Sequence, residues 1–537
     1  IGQSKFSVLA ISITIFFLSI FADKEIKRKF IILKKITIVE IKKFLSCLDK
    51  NKISILFISF LLLIIIASSI GPINHPDSID YHIGYPYQYW LHSNFFIDGG
   101  LQQGLVGIGD YANLSFIQEK NIWLVRTLQI IPLPVITIFF LNNLNKKYLI
   151  IALLSSPIII QWSTIGKPLF LGESVCAISY IFWKINKDNY SRTLILSSII
   201  SCISIKISAL IVVFPIVIDL LLDFNNSLKN KNLKNNLFIE IKNIFNNKII
   251  IFSVIILISI FLSRYIISGN FMYPLLTNFF NKDDLLIKEF TENISSYRRD
   301  IFYLINLFIP LRISEINHSL GPSFIFLIII SIISNWKDKL FIKNDILTTS
   351  ISQVVLLLLF CQGRGDYYSI PFILFLYSAK DLRLKGLLKF LNFSFVLALF
   401  LQLIIISIFF TFSIKQNILS FQNYEEIMNQ VSFGYHPSKF VDEEKEGNVF
   451  FAIGRDTRLF YPKNYISNDE FSRCLKTNDQ NYCLKKYNIT QTISSGNFLI
   501  NQEEFQCSYK NIIKGSRNPL NRKKIKLEIC KRNSTNK

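Results

Sequence analysis

The chain contains no CxxC pair, no histidines at metal-ligand spacing and no repeat of fixed period. The first two absences argue against a zinc site, and the third leaves no sign of a stacked array. Histidine is scarce, with five in 537 residues, and 37 Asp and Glu face 59 Lys and Arg. The resulting charge of +22 would suit nucleic acid, but the cations lie in short segments between apolar runs rather than along one soluble face. Positive-inside bias accounts for that distribution, so no nucleic-acid partner is expected, while the same loops suit anionic lipid headgroups.

What the chain has in abundance is apolar surface: 51% of residues are hydrophobic and 49 are Phe. One or two soluble cores cannot hide that much, which points to a bilayer as solvent. Runs at 6–22, 53–70, 248–267 and 390–412 each match the ~17 to 25 residues that cross a hydrocarbon core as a helix. The chain opens on Ile1 rather than Met, so further helices upstream are expected, and Lys5–Ala22 is read as a true span because a basic segment follows it instead of a cleavage site.

Ala22–Lys52 carries ten Lys and Arg against four acids and is placed in the cytoplasm. Alternation then puts residues 71–121 outside, 142–147 inside, and Gly166 with Lys167 outside. Helices near 168–185, 192–204 and 207–222 return the Asn- and Lys-rich stretch 223–248 to the cytoplasm. After 248–267 comes a long outer segment, 268–318, followed by helices near 319–334, 346–362, 367–379 and 390–412. Ile301–Ile316 is laid along the outer interface, since a crossing there would move every later basic loop outside. The expectation is an α-helical polytopic membrane protein of about twelve spans over 1–412, with a tail over 413–537 on the outer side.

Short apolar or alternating runs at Val449–Ile453 and Thr490–Ile493, beside a helix-like Asp469–Leu475, read that tail as a small α/β domain. Cys474, Cys483, Cys507 and Cys530 allow it two disulfides, given an oxidising side.

The first outer loop reads Gly71-Pro72-Ile73-Asn74-His75-Pro76-Asp77-Ser78-Ile79-Asp80-Tyr81-His82, and it holds three of the five histidines: His75, His82 and His92. A carboxylate there can take a proton from an incoming hydroxyl if burial or hydrogen bonding tunes it. Equally, Asp77 and Asp80 can cap a helix beginning near Ser78. Tyr85-Pro86-Tyr87-Gln88-Tyr89-Trp90 follows, an aromatic stretch suited to headgroup level.

Asp77 and Tyr81, four apart after an early span with a Tyr/Trp-rich helix behind them, resemble the first outer loop of the GT-C glycosyltransferase superfamily. Similar members are the lipid A aminoarabinose transferases, the protein O-mannosyltransferases and related bacterial sugar transferases. Their motif is commonly Asp-Glu-x-x-Tyr with a catalytic Asp, for which Asp77 stands here. Ser78 departs from the usual Glu, and Asp80 supplies a carboxylate two residues later. Arg126, Lys206 after the apolar run from Ile199, and Gly269-Asn270-Phe271-Met272-Tyr273-Pro274 extend the similarity, which covers the layout of residues 53–410.

The resemblance implies transfer of a sugar, with inversion, from a polyprenyl-phosphate donor to a glycan, lipid or protein acceptor on the periplasmic face of a bacterial inner membrane. Asp77 would be the general base, Asp80 or His82 would orient base or acceptor, and Tyr81 would line the substrate site. Arg126, Lys206 and Arg364 would stabilise the departing phosphate. Lys206 carries its own argument, because a charge in an apolar stretch costs roughly 2.5 to 3.5 kcal/mol at mid-membrane; it either meets a phosphate or snorkels at a helix hairpin. Arg364 either grips phosphate or pairs with Asp366 across its turn. Asp77, Asp80 and His82 could ligate a divalent ion, but no cofactor is expected. Two other classes remain: an O-antigen ligase or polymerase using Arg298, Arg299 and His318, and a transporter or flippase, which should show charges inside several helices or broken helices in paired halves.

Overall fold

A computed structural model describes residues 39, 52–92, 101–113, 123–144, 146–229, 247–280, 301–309, 319–337, 345–360, 365–379, 387–442, 446–495, 504–516 and 522–533. The span expected over 6–22, residues 230–246 of the basic segment, and Arg298, Arg299, His318 and Arg364 lie outside the described residues.

The described chain is mostly helical and ends in a small sheet domain. Among the described residues four helices are long and apolar enough to cross a membrane: Leu124–Leu141, Ile207–Phe224, Lys248–Ser268 and Phe390–Gln422. A fifth span follows if Pro157–Thr164 and Leu169–Asn186, bent by 115° at their junction, are taken as one. The expected count of about twelve is not reached. Apolar runs read as spans form shorter helices instead, such as Pro322–Trp336 and Ser369–Ser378. At 1.5 Å per residue the ten residues of Ser369–Ser378 reach only ~15 Å, half a hydrocarbon core. Ser369–Ser378 is buried at nearly every position and serves as a core rod between longer neighbours. On Lys248–Ser268, by contrast, Ile249, Phe252, Ile255, Ile258, Leu262 and Ile266 are exposed, an apolar face compatible with membrane insertion.

Helix ends sort by charge. Lys184 Nζ lies 2.6 Å from Asp219, 2.8 Å from Asp223 and 3.0 Å from Asp345, tying three helices together at the end of the bundle that the basic-loop count places inside. The opposite end carries the first loop and the sheet domain.

The helix expected to stop at 412 continues to Gln422, so the domain boundary falls ten residues later than expected. Beyond it β1 (Asn448–Ala452), β2 (Tyr465–Ile466), β3 (Ile489–Ser494), β4 (Phe505–Lys514) and β5 (Lys523–Arg532) form one sheet in the order β2-β1-β3-β5-β4. β1 runs parallel to β2 and β3, while β5 is antiparallel to β3 and β4. The central β1 is apolar on both faces because both are covered: Phe451 stacks on Tyr461 at 4.2 Å and Phe450 on Phe471 of helix Asn468–Thr477 at 4.1 Å. Both allowed disulfides form, Cys474–Cys483 between consecutive helices and Cys507–Cys530 between β4 and β5.

The sheet domain is docked on the first loop. Gln88 Nε2 donates to Arg458 O at 2.6 Å and Tyr461 O at 3.1 Å, and the Ser432 hydroxyl donates to Ile73 O. Leu459 joins Ile73, Ile79, Ile83 and Val125 in a shared apolar cluster.

Candidate active site

After the helix Lys52–Ser69, the chain turns at Gly71-Pro72 and enters a single π-helical turn, Ser78–His82, before helix Gly84–His92. The turn brings Asp77 and Tyr81 together and directs Asp80 to Arg458 and His82 to Asp110. Asp77 occupies the N-cap position of this turn but makes no capping hydrogen bond, so the capping role open in the sequence is not the one adopted. Its Oδ2 lies 2.7 Å from Lys167 Nζ, and its Oδ1 2.5 Å from Arg455 Nη2. Tyr81 Oη approaches the same carboxylate at 3.5 Å.

Lys167 stands in the break between helices Pro157–Thr164 and Leu169–Asn186. Gly166 makes the break with φ +81°, a conformation a side chain resists, and an added Cβ would meet Ile83 at 3.2 Å. Lys167 is 2% exposed, and its ammonium, 3.9 Å from the centre of the Trp162 ring, meets that ring as well as Asp77. Arg455 arrives from the opposite side, in the turn Gly454-Arg455-Asp456-Thr457-Arg458 at the carboxyl end of β1.

Asp80 is fully buried and ion-paired with Arg458, whose other nitrogen lies 2.8 Å from Asp456 Oδ2; Arg455 Nε stands 3.6 Å from Asp80 Oδ2. Asp456 is itself held by Tyr461 Oη at 3.2 Å and the Asn468 side chain at 2.6 Å. His82 Nδ1 lies 2.6 Å from Asp110 Oδ1, and Asp110 Oδ2 accepts the Gly107 N–H at 2.8 Å. A hydrogen on Nδ1 would face this carboxylate and leave the lone pair on Nε2, which is buried with no hydrogen-bond partner among the described residues.

The electrostatics separate the two loop carboxylates. Burial pushes Asp77 up, but Lys167, His75 and Arg455 together outweigh it and hold the group well below the usual carboxylate range. Burial pushes Asp80 up to about 7 although Arg458 pulls it down, with Asp456 adding to the rise and Arg455 opposing it. Burial likewise lowers His82 against the pull of Asp110 and keeps the imidazole neutral.

Arg126 is not part of this network. It donates to the carbonyls of Thr164 at 2.6 Å, Gly71 at 3.1 Å, Pro72 at 2.6 Å and Ser68 at 3.0 Å, which fastens the loop to the helices and turns the guanidinium away from the role of phosphate ligand. Lys206 ends helix Asn189–Ile205 half-buried, 5.1 Å over the Tyr367 ring, and Tyr367 Oη pairs with Ser208 Oγ at 2.7 Å. Tyr367 belongs to the turn that follows Arg364, so the turn at Lys206 meets that turn. Asp77, Asp80 and His82 do not form a ligand cluster. Among the described residues the group of potential metal ligands is Cys507, Glu528 and Cys530, whose two sulfurs are joined to each other.

Reading the sequence missed Lys167, which entered only as a topological mark, and Asp110, Arg455, Asp456 and Arg458, which did not enter at all. A signal for the last three was present: a dense charge run directly after an apolar strand, where parallel strands carry ligand sites at their carboxyl ends. No family model, curated protein or solved structure matches this chain.

Proposed function

We propose that the protein is a GT-C-type membrane glycosyltransferase that moves a sugar from a polyprenyl-phosphate donor to an acceptor on the outer face of the membrane, with inversion. The observation that carries this reading is Asp77: a carboxylate 24% exposed that bridges the buried Lys167 of the helical domain and the partly exposed Arg455 of the sheet domain.

A carboxylate held by two cations is a weak base. Phosphate oxygens of the donor, however, compete for the same Lys167 and Arg455, and Arg offers phosphate a two-pronged grip. Donor binding then frees Asp77 and restores its basicity. Asp77 takes the proton of the acceptor hydroxyl as that oxygen bonds to the anomeric carbon. The bond from that carbon to the phosphate oxygen breaks, and its electron pair leaves with the phosphate, whose charge Lys167 and Arg455 stabilise. Tyr81 lines the base, and Asp80 with Arg458 fixes the turn from which Asp77 projects.

An apolar groove of about 750 Å³ between helices Lys52–Ser69 and Leu387–Gln422, lined by Phe57, Phe60, Leu403 and Phe410, gives a lipid tail a place to lie. Its outer end adjoins Gly71, which abuts Asn417, and so leads to the loop. The two disulfides of the sheet domain suit an oxidising compartment, and the basic loops suit the cytoplasm. Release and transfer of sugar from a purified polyprenyl-phosphate donor tests the reading. Asp77→Asn is expected to lower the rate by ~10²- to 10⁴-fold, the usual worth of a positioned base, and undiminished transfer by that variant would remove the mechanism.

A second reading, transport, draws on the 115° break between Pro157–Thr164 and Leu169–Asn186 and on Glu173 and Arg264, both buried within helices. Flux of a lipid-linked sugar across vesicles without its consumption would favour that reading. The ligase or polymerase reading rests on Arg298, Arg299 and His318, outside the described residues.

A further inference from the structure

On the other side of the turn Arg458–Phe460 from Asp80 lies a cleft of about 530 Å³ between helix Gly84–His92 and the sheet domain. It falls within the ~300 to 1,000 Å³ typical of small-ligand sites. Three half-buried aromatic rings line it, Tyr87, Tyr435 and Phe460, interspersed with the polar side chains of Ser438, Asp442 and Asn464. The rings come from three separate elements and are braced: Tyr435 and Phe460 meet edge to face at 5.3 Å, and Tyr87 rests against Trp90 at 5.8 Å. Asp442 is braced as well, with Lys531 Nζ 2.7 Å from its carboxylate and its backbone N–H donating to Gln491 at 2.9 Å.

We propose that this cleft binds an oligosaccharide, and that the saccharide is the growing acceptor chain of the transfer. A pyranose has an apolar face of C–H bonds and a rim of hydroxyls; rigid aromatic rings cover the first, and an ordered carboxylate, amide and hydroxyl hydrogen-bond the second. An acyl chain would strip water from the Asp442–Lys531 pair and from the Asn464 side chain and offer no hydrogen bond in return, which disfavours lipid as the occupant. The assignment of the saccharide as acceptor rests on the glycosyl-transfer reading; the binding of sugar does not. Position supports the acceptor role. Arg458 and Phe460 are two residues apart in a 3₁₀ turn, which rises only ~2 Å per residue, so one short turn carries the Asp80 contact on one side and the cleft lining on the other. An acceptor whose terminal hydroxyl reaches Asp77 has its preceding sugars directed over this turn into the cleft.

The test is calorimetric titration of the detergent-solubilised full chain with chitotetraose, cellotetraose, mannotetraose and maltotetraose, with intrinsic tryptophan fluorescence as a second signal. At least one probe is expected to bind saturably. Tyr87→Ala and Asn464→Ala are each expected to weaken that binding by tenfold or more, and Lys187→Ala, an exposed position at the other end of the bundle, to leave it unchanged. Asn464 is exposed, so its variant keeps the test valid if Tyr87→Ala fails to fold. Absence of binding by all four probes overturns the proposal, as does binding that both cleft substitutions leave intact. Saccharide binding without sugar transfer removes the transfer reading and the acceptor role but keeps the cleft, whereas transfer with no saccharide binding removes the cleft and keeps the transfer reading.

Discussion

At the scale of residues, the site is a contest between burial and charge. Arg458 is 0% exposed and serves two carboxylates, Asp80 and Asp456. Replacing it by Met takes the closest cation from both, and breaking a buried pair from one side costs about 3 to 5 kcal/mol. Arg458→Met is therefore expected to lower the unfolding midpoint in detergent clearly, and an unshifted midpoint would contradict the buried network. The two loop carboxylates should also leave opposite marks on stability against pH. Asp80 holds its proton up to about 7 in the folded chain against 3.8 unfolded, so its contribution is complete below 3.8 and is lost as pH rises through about 7. Asp77 is held below 3.8, so its contribution is present above that value and lost as pH falls through the lower folded one. Asp80→Asn should flatten the decline in stability between about pH 4 and 7, which chemical denaturation at a series of pH values can read.

At the scale of elements, the break at Gly166 decides where Lys167 points. A continuous helix from Pro157 to Asn186 would carry the lysine onto a helix face; the left-handed glycine ends the first helix and lets the second leave at 115°. Gly166→Ala places a methyl group at φ +81°, at a cost of ~1 to 2 kcal/mol, and pushes on Ile83, the residue just after the π turn. The expected outcome is a protein that still folds but whose donor KM rises as Lys167 loses register with Asp77; a KM equal to that of the parent would show that the break does not position the lysine. Parts of this were legible in sequence. The strands at 449–453 and 490–493 and the helix at 469–475 lie within a residue or two of those observed, because each is a short alternating or capped segment with a strong local pattern. The break at Gly166-Lys167 was legible as a turn before a helix near 168–185, but its 115° angle was not, since the direction in which the second helix leaves is set by packing.

At the scale of the whole molecule, the bundle has two ends of different chemistry. Lys184 gathers Asp219, Asp223 and Asp345 at one, and Asp77 meets Lys167 and Arg455 at the other. If the first end is cytoplasmic, a membrane-impermeant thiol reagent applied to intact cells should label Asn464→Cys and spare Lys187→Cys, both exposed positions. The reverse pattern would invert the proposed orientation.

The sequence by itself determined that the chain is dominated by apolar helices, that a small α/β domain follows them, and that the polar loop at Gly71 stands apart. Each of these is a matter of composition or short-range periodicity, which local propensity and the hydrophobic effect translate directly into structure. Only the tertiary structure decided how many helices have the length of a span, that Arg126 fastens carbonyls, and that Asp77 is gripped by residues 90 and 378 positions away. Ion pairs between distant segments depend on where packing brings each backbone; neighbouring cations then hold Asp77 down while burial raises Asp80 and lowers His82, which no local pattern records.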